Sequence, residues 1–86
     1  MALYNVLITK SAAKELAAIP EKDRRRIIER IRGLSGEPRP FGVEKLSGDD
    51  KYRIRQGHFR ILYEILDRDL VVTVIRIGDR RDVYRR

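Results

Sequence analysis

Short apolar runs, separated by charged and turn-forming residues, predict the order of elements along the first half of this chain. Residues 4–8 form a β-prone run that we interpret as the first strand. Thr9 is suited to cap a helix over residues 11–18, with Ala13, Leu16 and Ala17 at helical spacing. Pro20 suits the first turn of a second helix, where its missing N–H is not needed. The apolar stripe of that helix is formed by Ile27, Ile28, Ile31 and Leu34.

The second half of the chain contains the runs that predict most of the β-strands. A loop begins at Gly33 and ends near Leu46, and a turn follows. Three β-prone runs come next, at Lys51–Gln56, Phe59–Leu66 and residues 70–77, joined by connections short enough only for hairpins. The predicted fold is therefore α+β with the order β-α-α-β-β-β. A helical hairpin packs on one face of a small, mainly antiparallel sheet, in a single domain that spans all 86 residues.

The two-residue loop of the first hairpin fixes its pairing. With Gly57 and His58 in the loop, Arg55 lies opposite Arg60 and Arg53 lies opposite Leu62. Because side chains alternate between the faces of a strand, the three arginines share one face. Like charges directly opposite one another destabilise a sheet, so a sequence selected for folding alone would separate Arg55 from Arg60.

The second hairpin allows two registers. A two-residue loop would place Arg76 among apolar side chains, whereas a three-residue loop at Asp67–Asp69 pairs Ile61 with Ile75 and Arg60 with Arg76. We expect the second register, because it keeps a charge out of the core and adds Arg76 to the cationic face. The side chains then predicted to lie under the helices are Phe59, Ile61, Tyr63, Ile65, Val71 and Ile75.

That register also predicts the opposite face of the sheet. Leu62, Val72 and Val74 should lie there beside the arginines. Tyr52 and Tyr63 are expected to be core aromatics with hydrogen-bonded hydroxyls.

Composition limits the possible partners and chemistry. The net charge is +7 and the isoelectric point is about 10.2, which favours polyanions such as RNA, DNA or an acidic protein. The absence of Cys excludes disulfides and thiolate chemistry, and a single His cannot form a His-rich metal site. We expect no metal or other cofactor. No apolar stretch approaches ~18 residues and the start lacks a cationic leader, so we expect a cytoplasmic protein with no membrane partner.

The end of the chain places several arginines around one phenol. Gly78 is followed by Arg80, Arg81 and Tyr84. When RNA is cleaved through its 2′-hydroxyl, that hydroxyl must lose a proton and the transition state gains negative charge. Fixed guanidinium groups stabilise such charge and also lower the pKa of a nearby tyrosine.

These residues suggest an RNA-cleaving site. Tyr84 is the candidate general base, and Arg60 and Arg80 are the candidate stabilisers of the transition state. The alternative from the residues alone is a solvated basic face on an arginine-rich protein.

Four segments carry a resemblance to a known family. They are ITKSAAKEL at residues 8–16, KLSG at 45–48, YRIRQGHFRILYEI at 52–65 and VVTVIRIGDRRDVYR at 71–85. With these the chain resembles the RelE side of the RelE/ParE toxin superfamily over nearly its whole length. The resemblance implies an endoribonuclease, an mRNA interferase, that enters the ribosomal A site on the 30S subunit, contacts ribosomal RNA and cleaves the bound mRNA.

The family's functional positions map onto this chain residue by residue. Its paired basic residues on the first hairpin strand match Arg53 and Arg55, and its transition-state arginine matches Arg60. Arg80 and Tyr84 match the basic residue after the glycine and the C-terminal tyrosine. The further residues expected to hold RNA are Lys45, Lys51, Arg76 and Arg81.

The resemblance also implies partners and leaves alternatives. A cognate antitoxin, acidic and with an amphipathic helix, would block the toxin, and operator DNA would be contacted only through it. This chain departs from many relatives at Asp79, where they have His or Lys, so a possible proton donor is missing. The alternatives are a ParE-type inhibitor of DNA gyrase without catalysis, and an inactive protein that only binds antitoxin as a co-repressor.

Overall fold

The structure is a computed structural model and describes residues 3–46 and 50–79. Within these residues the chain forms two α-helices and a sheet of five strands. In chain order the elements are β1 (Asn5–Ile8), α1 (Lys10–Ala17), α2 (Glu21–Gly33), β2 (Glu44–Lys45), β3 (Lys51–Gln56), β4 (Phe59–Leu66) and β5 (Val71–Asp79). This is the predicted α+β architecture with one addition, because β2 lies in the segment that we expected to be a loop.

The sheet is mixed but mainly antiparallel. Its strand order is β1-β5-β4-β3-β2, so the first and last strands of the described chain are neighbours. Only the β1–β5 pairing is parallel among these strands, and the pairings of β5 with β4, β4 with β3 and β3 with β2 are antiparallel. The predicted fold class is confirmed.

Local sequence explains where the helices begin. The Thr9 hydroxyl accepts a hydrogen bond of 3.1 Å from the Ala12 amide and caps α1, as predicted. Pro20 occupies the N-cap of α2, one position before the first helical residue. Of the residues noted at helical spacing in α1, Leu16 packs against the core, whereas Ala13 and Ala17 are exposed and Ala12 is fully buried.

One hydrophobic core lies between the helices and one face of the sheet. Tyr63, at its centre, is completely buried, and its hydroxyl donates a 2.7 Å hydrogen bond to the carbonyl of Pro38. Burial raises the pKa of this tyrosine to about 12. The other buried core side chains are Ala12, Ile19, Ile27, Ile31, Leu34, Tyr52, Ile54, Phe59, Ile61, Ile65, Val72, Val74 and Ile77.

The first hairpin has the predicted register. Gln56 pairs with Phe59, Arg55 with Arg60, and the remaining pairs follow in order to Lys51 and Glu64. Gly57 has φ of 63°, a conformation that favours glycine and lets two residues reverse the chain. This is why counting back from the loop predicted the pairs correctly.

The register predicted for the second hairpin is wrong. Leu66 pairs with Val71, so the connection includes Leu70 as well as the short 3-10 helix Asp67–Asp69. Leu70 has φ of 54°, which is uncommon for a residue with a side chain and was not expected from the sequence.

A β-bulge then changes the alternation within β5. Tyr63 pairs with Val74 and Leu62 pairs with Arg76, so Ile75 is the extra residue on β5. Ile61 therefore pairs with Ile77, not with Ile75, and Arg60 pairs with Gly78, not with Arg76.

The bulge also corrects the predicted faces of β5. Val72 and Val74 are fully buried under the helices, whereas Val71 and Ile75 are only partly buried. Because the bulge adds one residue, Val74 and Ile77 both face the core although their spacing is odd.

Neither helix in the described part of the chain has the length and apolar character needed to cross a membrane.

Candidate functional site

The face of the sheet opposite the helices carries a set of arginines that we call the arginine face: Arg53, Arg55, Arg60 and Arg76. Arg55 and Arg60 are directly paired across β3 and β4, as predicted. Arg53 and Arg76 lie on either side of Leu62, because both pair with that residue. The sheet therefore brings together four of the predicted site residues, and Arg76 joins them through the bulge and not through the predicted register.

Arg53 forms an ion pair with a carboxylate on the neighbouring strand. Its Nε and Nη2 lie 3.1 and 2.9 Å from Oε1 of Glu44 on β2. Hydrogen bonding to Arg53 lowers the pKa of Glu44, and the charges of Arg53, Arg55 and Arg60 lower it further. The lowered pKa of Glu44 indicates a positive electrostatic potential at this part of the arginine face.

Arg76 has a more distant carboxylate partner on α1. Its Nε lies 3.5 Å from Oε2 of Glu15, and its side chain remains 63% exposed. The other oxygen of Glu15 accepts a 2.8 Å hydrogen bond from the Ile77 amide. Glu15 thus joins α1 to the edge of β5 beyond the end of β1, and Arg76 remains open to solvent.

An open cleft of about 900 Å³ begins on the arginine face. Leu62 and Gly78 of the sheet line it, and so do Ile19 and Pro20 in the connection between the helices. The charged and titratable residues that line it are Glu15, Asp23, Arg53, His58, Arg60, Arg76 and Asp79. A strand of RNA has the charge to occupy such a cleft, because guanidinium groups hold phosphate with paired hydrogen bonds.

His58 and Asp79 form a pair at this cleft that we did not predict from the sequence. Nδ1 of His58 lies 3.2 Å from Oδ1 of Asp79. Phe59 and Asp79 are register partners, which brings the hairpin loop beside the end of β5. The only sequence feature that could have indicated the site is the position of His58, two residues before Arg60.

The two predicted lysines lie on opposite faces of the sheet. Lys51 pairs with Glu64, two positions along β3 from Arg53 and on the same face. Lys45 pairs with Tyr52, a buried residue on the helix side, so β2 does not bring it onto the arginine face.

Three predicted site residues, Arg80, Arg81 and Tyr84, lie outside the described residues. The other three tyrosines of the chain each use their hydroxyl in a hydrogen bond within the fold. Tyr4 donates to Asp67, the Tyr52 hydroxyl accepts from Arg39, and Tyr63 donates to Pro38. These bonds confirm the expectation that Tyr52 and Tyr63 are core aromatics, with ring centroids 6.0 Å apart.

Comparison with known proteins identifies the family. Residues 6–84 match the sequence model of a protein family, the ParE toxin of the type II toxin-antitoxin system parDE. The chain belongs to the RelE/ParE toxin superfamily. It is a toxin of a type II toxin-antitoxin system of that family.

Relatives and solved structures in this superfamily resemble the chain over nearly its whole length. A putative toxin RelE1 of Methanocaldococcus jannaschii is 33% identical over 95% of this chain and 96% of its own length. The toxin RelG of Mycobacterium tuberculosis is 33% identical over 96% and 98%. The archaeal RelE-RelB complex of Pyrococcus horikoshii contains a chain with a TM-score of 0.82 and 36% identity, covering 91% of this chain and 96% of that one.

Proposed function

We propose that this toxin is an endoribonuclease that cleaves mRNA in the ribosomal A site. The observation that carries the proposal is the arginine face, where Arg55 and Arg60 are paired directly and Arg53 and Arg60 line one cleft. Like charges on directly paired residues destabilise a sheet. Binding of a polyanionic ligand would offset this repulsion, and it gives a physical reason for the presence of both arginines.

The proposed reaction is an attack of the 2′-oxygen on the adjacent phosphorus. Tyr84 takes the proton of the 2′-hydroxyl as general base, and Arg60 and Arg80 stabilise the added negative charge on the phosphate. Guanidinium groups can support this reaction without a metal ion, because they supply fixed positive charge where the negative charge develops. Arg53 and Arg55 complete the catalytic set by holding the scissile phosphate.

The remaining predicted contacts hold the RNA backbone. Arg76 belongs to the arginine face and Lys51 extends that face along β3. Lys45 lies at the edge of the sheet, and Arg81 follows Arg80 in the sequence. Contacts of this type make binding depend on salt, with a slope of about −0.7 for each single-stranded phosphate neutralised. Ribosomal RNA on the 30S subunit would orient the message in the cleft.

The proposed protein partner is a cognate antitoxin. The chain resembles toxins in structures described as the RelE-RelB complex of Pyrococcus horikoshii and the toxin-antitoxin complex RelBE2 of Mycobacterium tuberculosis. With a net charge of +7, this toxin favours an acidic antitoxin, and operator DNA would be contacted only through that antitoxin.

The function is tested by induced expression, mapping of mRNA breaks, and cleavage on purified ribosomes. Tyr84→Phe should keep ribosome binding and lose cleavage, because only the hydroxyl is removed. Tyr4→Phe is the matched control, since its hydroxyl contacts Asp67 outside the cleft, and it should keep cleavage. Full activity of Tyr84→Phe would reject the general-base role.

A second candidate function is inhibition of DNA gyrase without catalysis. It is favoured by one observation, the match of residues 6–84 to the ParE toxin model. A supercoiling assay with purified gyrase separates the two functions from an assay of translation and message cleavage. Inhibition of supercoiling with intact messages would replace the first proposal by the second.

A further inference from the structure

A second cationic cleft, which we call the α2 cleft, lies on the helix side of the sheet. It has a volume of about 460 Å³ and is lined by α2 from Arg25 onward, by Pro40 in the following loop and by Gln56 at the end of β3. Gln56 pairs with buried Phe59, which places its side chain on the helix side. The arginine face projects from the other side of the sheet, so the α2 cleft is a separate surface.

Two arginines of the α2 cleft lie one helical turn apart. Arg26 and Arg30 are four residues apart on α2, and like charges at this spacing destabilise a helix. Within residues 3–46 and 50–79 neither forms an ion pair, and Nε of Arg30 is enclosed without a hydrogen-bond partner. Glu29, a carboxylate that lines the cleft, lies 3.6 Å from Arg32. The two guanidinium groups can therefore bind an external anion, and phosphate matches their paired donors.

A fully exposed aromatic ring belongs to a turn that begins at the α2 cleft. Pro40, which lines the cleft, is the first residue of a β-turn that continues through Phe41 and Gly42. The amide of Val43 donates to the Pro40 carbonyl at 3.1 Å, and Gly42 has the positive φ, 91°, that a type II turn requires. Val43 packs against the core and anchors the turn, whereas Phe41 at its corner is completely exposed. A ligand that stacks on this ring meets a structure that is already ordered.

Guanidinium groups combined with an exposed aromatic ring are typical of proteins that hold unpaired nucleotides. The guanidinium groups bind phosphates, and the ring stacks on a base without reading its identity. This inference rests on the proposed endoribonuclease function, which brings the toxin to the ribosome. We infer that the α2 cleft binds ribosomal RNA, with Arg26 and Arg30 on its phosphates and an unpaired base stacked on Phe41.

The surroundings of Phe41 favour a nucleotide over a protein as the ligand. Phe41 precedes β2, at one edge of the sheet. Other exposed large apolar residues of the described chain lie on or beside β1, at the opposite edge: Leu3, Leu7, Ile8 and Leu70. A protein interface has an apolar centre of several side chains, whereas one ring beside cationic groups suits a single base. The message is assigned to the arginine face, so this contact orients the toxin on the 30S subunit.

The test measures binding to purified 30S subunits and cleavage of ribosome-bound mRNA. Phe41→Ala should raise Kd for 30S subunits and KM for cleavage by about 5- to 100-fold, the range expected for loss of one stacked base. Its kcat should stay within about twofold of wild type, because the contact is the same before and during the reaction. Phe41→Trp should bind at least as tightly as wild type, since the larger ring also stacks.

Phe41→Leu separates a base from a protein as the ligand. Leucine keeps an apolar side chain but has no ring face, so this variant should bind 30S subunits as weakly as Phe41→Ala does. Chemical probing of the ribosomal RNA should show unpaired nucleotides that wild type protects and that both variants leave reactive. Wild-type binding by Phe41→Leu would indicate an apolar protein contact and would overturn the inference.

The phosphate contacts are tested through their dependence on salt. Arg26→Gln should weaken 30S binding and reduce the slope of log K against log salt by about 0.7–0.9 in magnitude, the value for one phosphate contact. Lys14→Gln removes the same unit of charge from an exposed position on α1 outside both clefts, and its slope should equal that of wild type. Equal changes of slope in the two variants would show that Arg26 contributes only net charge.

The outcomes distinguish this inference from the function on which it rests. If wild type neither binds ribosomes nor cleaves the message, the proposed function fails. Binding without cleavage would remove the enzyme assignment and leave the α2 cleft to be judged by binding alone. If wild type binds and cleaves, and Phe41→Ala binds 30S subunits within about twofold of wild type, only the α2 cleft is rejected as an RNA site. Melting temperatures show that each variant keeps the fold, as expected for exposed side chains.

Discussion

Arg39 and the pair formed by Arg55 and Arg60 lie in contrasting surroundings. Arg39, in the loop after α2, donates to both carboxylate oxygens of Asp67 at 3.1 and 2.7 Å. Its Nε donates to the Tyr52 hydroxyl at 3.2 Å, and its guanidinium carbon lies 5.1 Å from the centre of that ring. Arg55 and Arg60, by contrast, are directly opposite each other on neighbouring strands.

The difference separates stability from binding. The Arg39 cluster joins the loop after α2 to the β4–β5 connection, and Tyr4 adds a third element through its 2.7 Å bond to the same carboxylate. Hydrogen bonds from Arg39 and Tyr4 lower the pKa of Asp67 to about 2. On the arginine face four guanidinium groups lie together on neighbouring strands, and the Arg76 side chain is 63% exposed, so that face presents positive charge to solvent. Each of the following changes should affect one region and spare the other.

The largest effect is expected from Arg60→Gln. If Arg60 stabilises the transition state as proposed, its removal should reduce cleavage by about 10²–10³-fold. The melting temperature should stay near that of wild type, because the change also removes a like charge opposite Arg55. Ribosome-bound cleavage and thermal unfolding measure the two quantities. A variant with at least a third of wild-type activity would show that Arg60 has no catalytic role.

Arg39→Gln is the complementary change. It removes the hydrogen bonds to Asp67 and Tyr52 and should lower the free energy of unfolding by about 1–2 kcal/mol. Cleavage at a temperature where the variant is folded should be unchanged, since Arg39 does not line the cleft. Urea unfolding measures the loss, with Arg25→Gln as control. Among the described residues, Arg25 pairs with exposed Glu21 on the same helix, so its loss should be about 0.5 kcal/mol or less.

Acid should weaken the cluster of Arg39, Asp67, Tyr4 and Tyr52, because Asp67 must be ionised to pair with Arg39. The pKa of Asp67 falls from 3.8 to about 2 on folding, so its contribution to stability is fully present above pH 3.8. That contribution is lost as the pH falls through about 2. Urea unfolding between pH 5 and pH 2 should show a steeper loss for wild type than for Asp67→Asn, which has no carboxyl to protonate. Parallel curves would contradict the role of this carboxylate.

The smallest effect is expected from Glu44→Gln. Loss of the carboxylate frees Arg53 from its 2.9 Å contact and leaves more positive charge on the arginine face. Binding of single-stranded RNA should tighten by only about 1.5- to 5-fold, because an exposed ion pair contributes little. Titration at low salt measures the change. Glu29→Gln on α2 removes the same charge away from the arginine face, and it must tighten binding less than Glu44→Gln does if the effect is local.

Sequence reasoning succeeded where a short loop fixed the geometry. The loop at Gly57 and His58 has only two residues, so the pairing of Arg55 with Arg60 followed by counting. It failed in the second hairpin because Leu70 adopts a left-handed conformation without being glycine, and because the bulge at Ile75 has no sequence marker.

The same limit applies to the site. The shared face of Arg53, Arg55 and Arg60 follows from strand alternation and could be predicted. The contact of Asp79 with His58 depends on where β5 ends against the first hairpin, which is a matter of tertiary register. Similarly, Arg39 and Asp67 meet across loops that the sequence does not relate to each other.

The parallel pairing of β1 with β5 has a consequence for the synthesis of the toxin. Asn5 and Val71 are register partners although most of the chain separates them, so β1 has no neighbour in the sheet until β5 has been made. Contacts between distant parts of a chain form slowly, because a long loop must close first. A nascent toxin therefore cannot pair β1 into its sheet until β5 has left the ribosome.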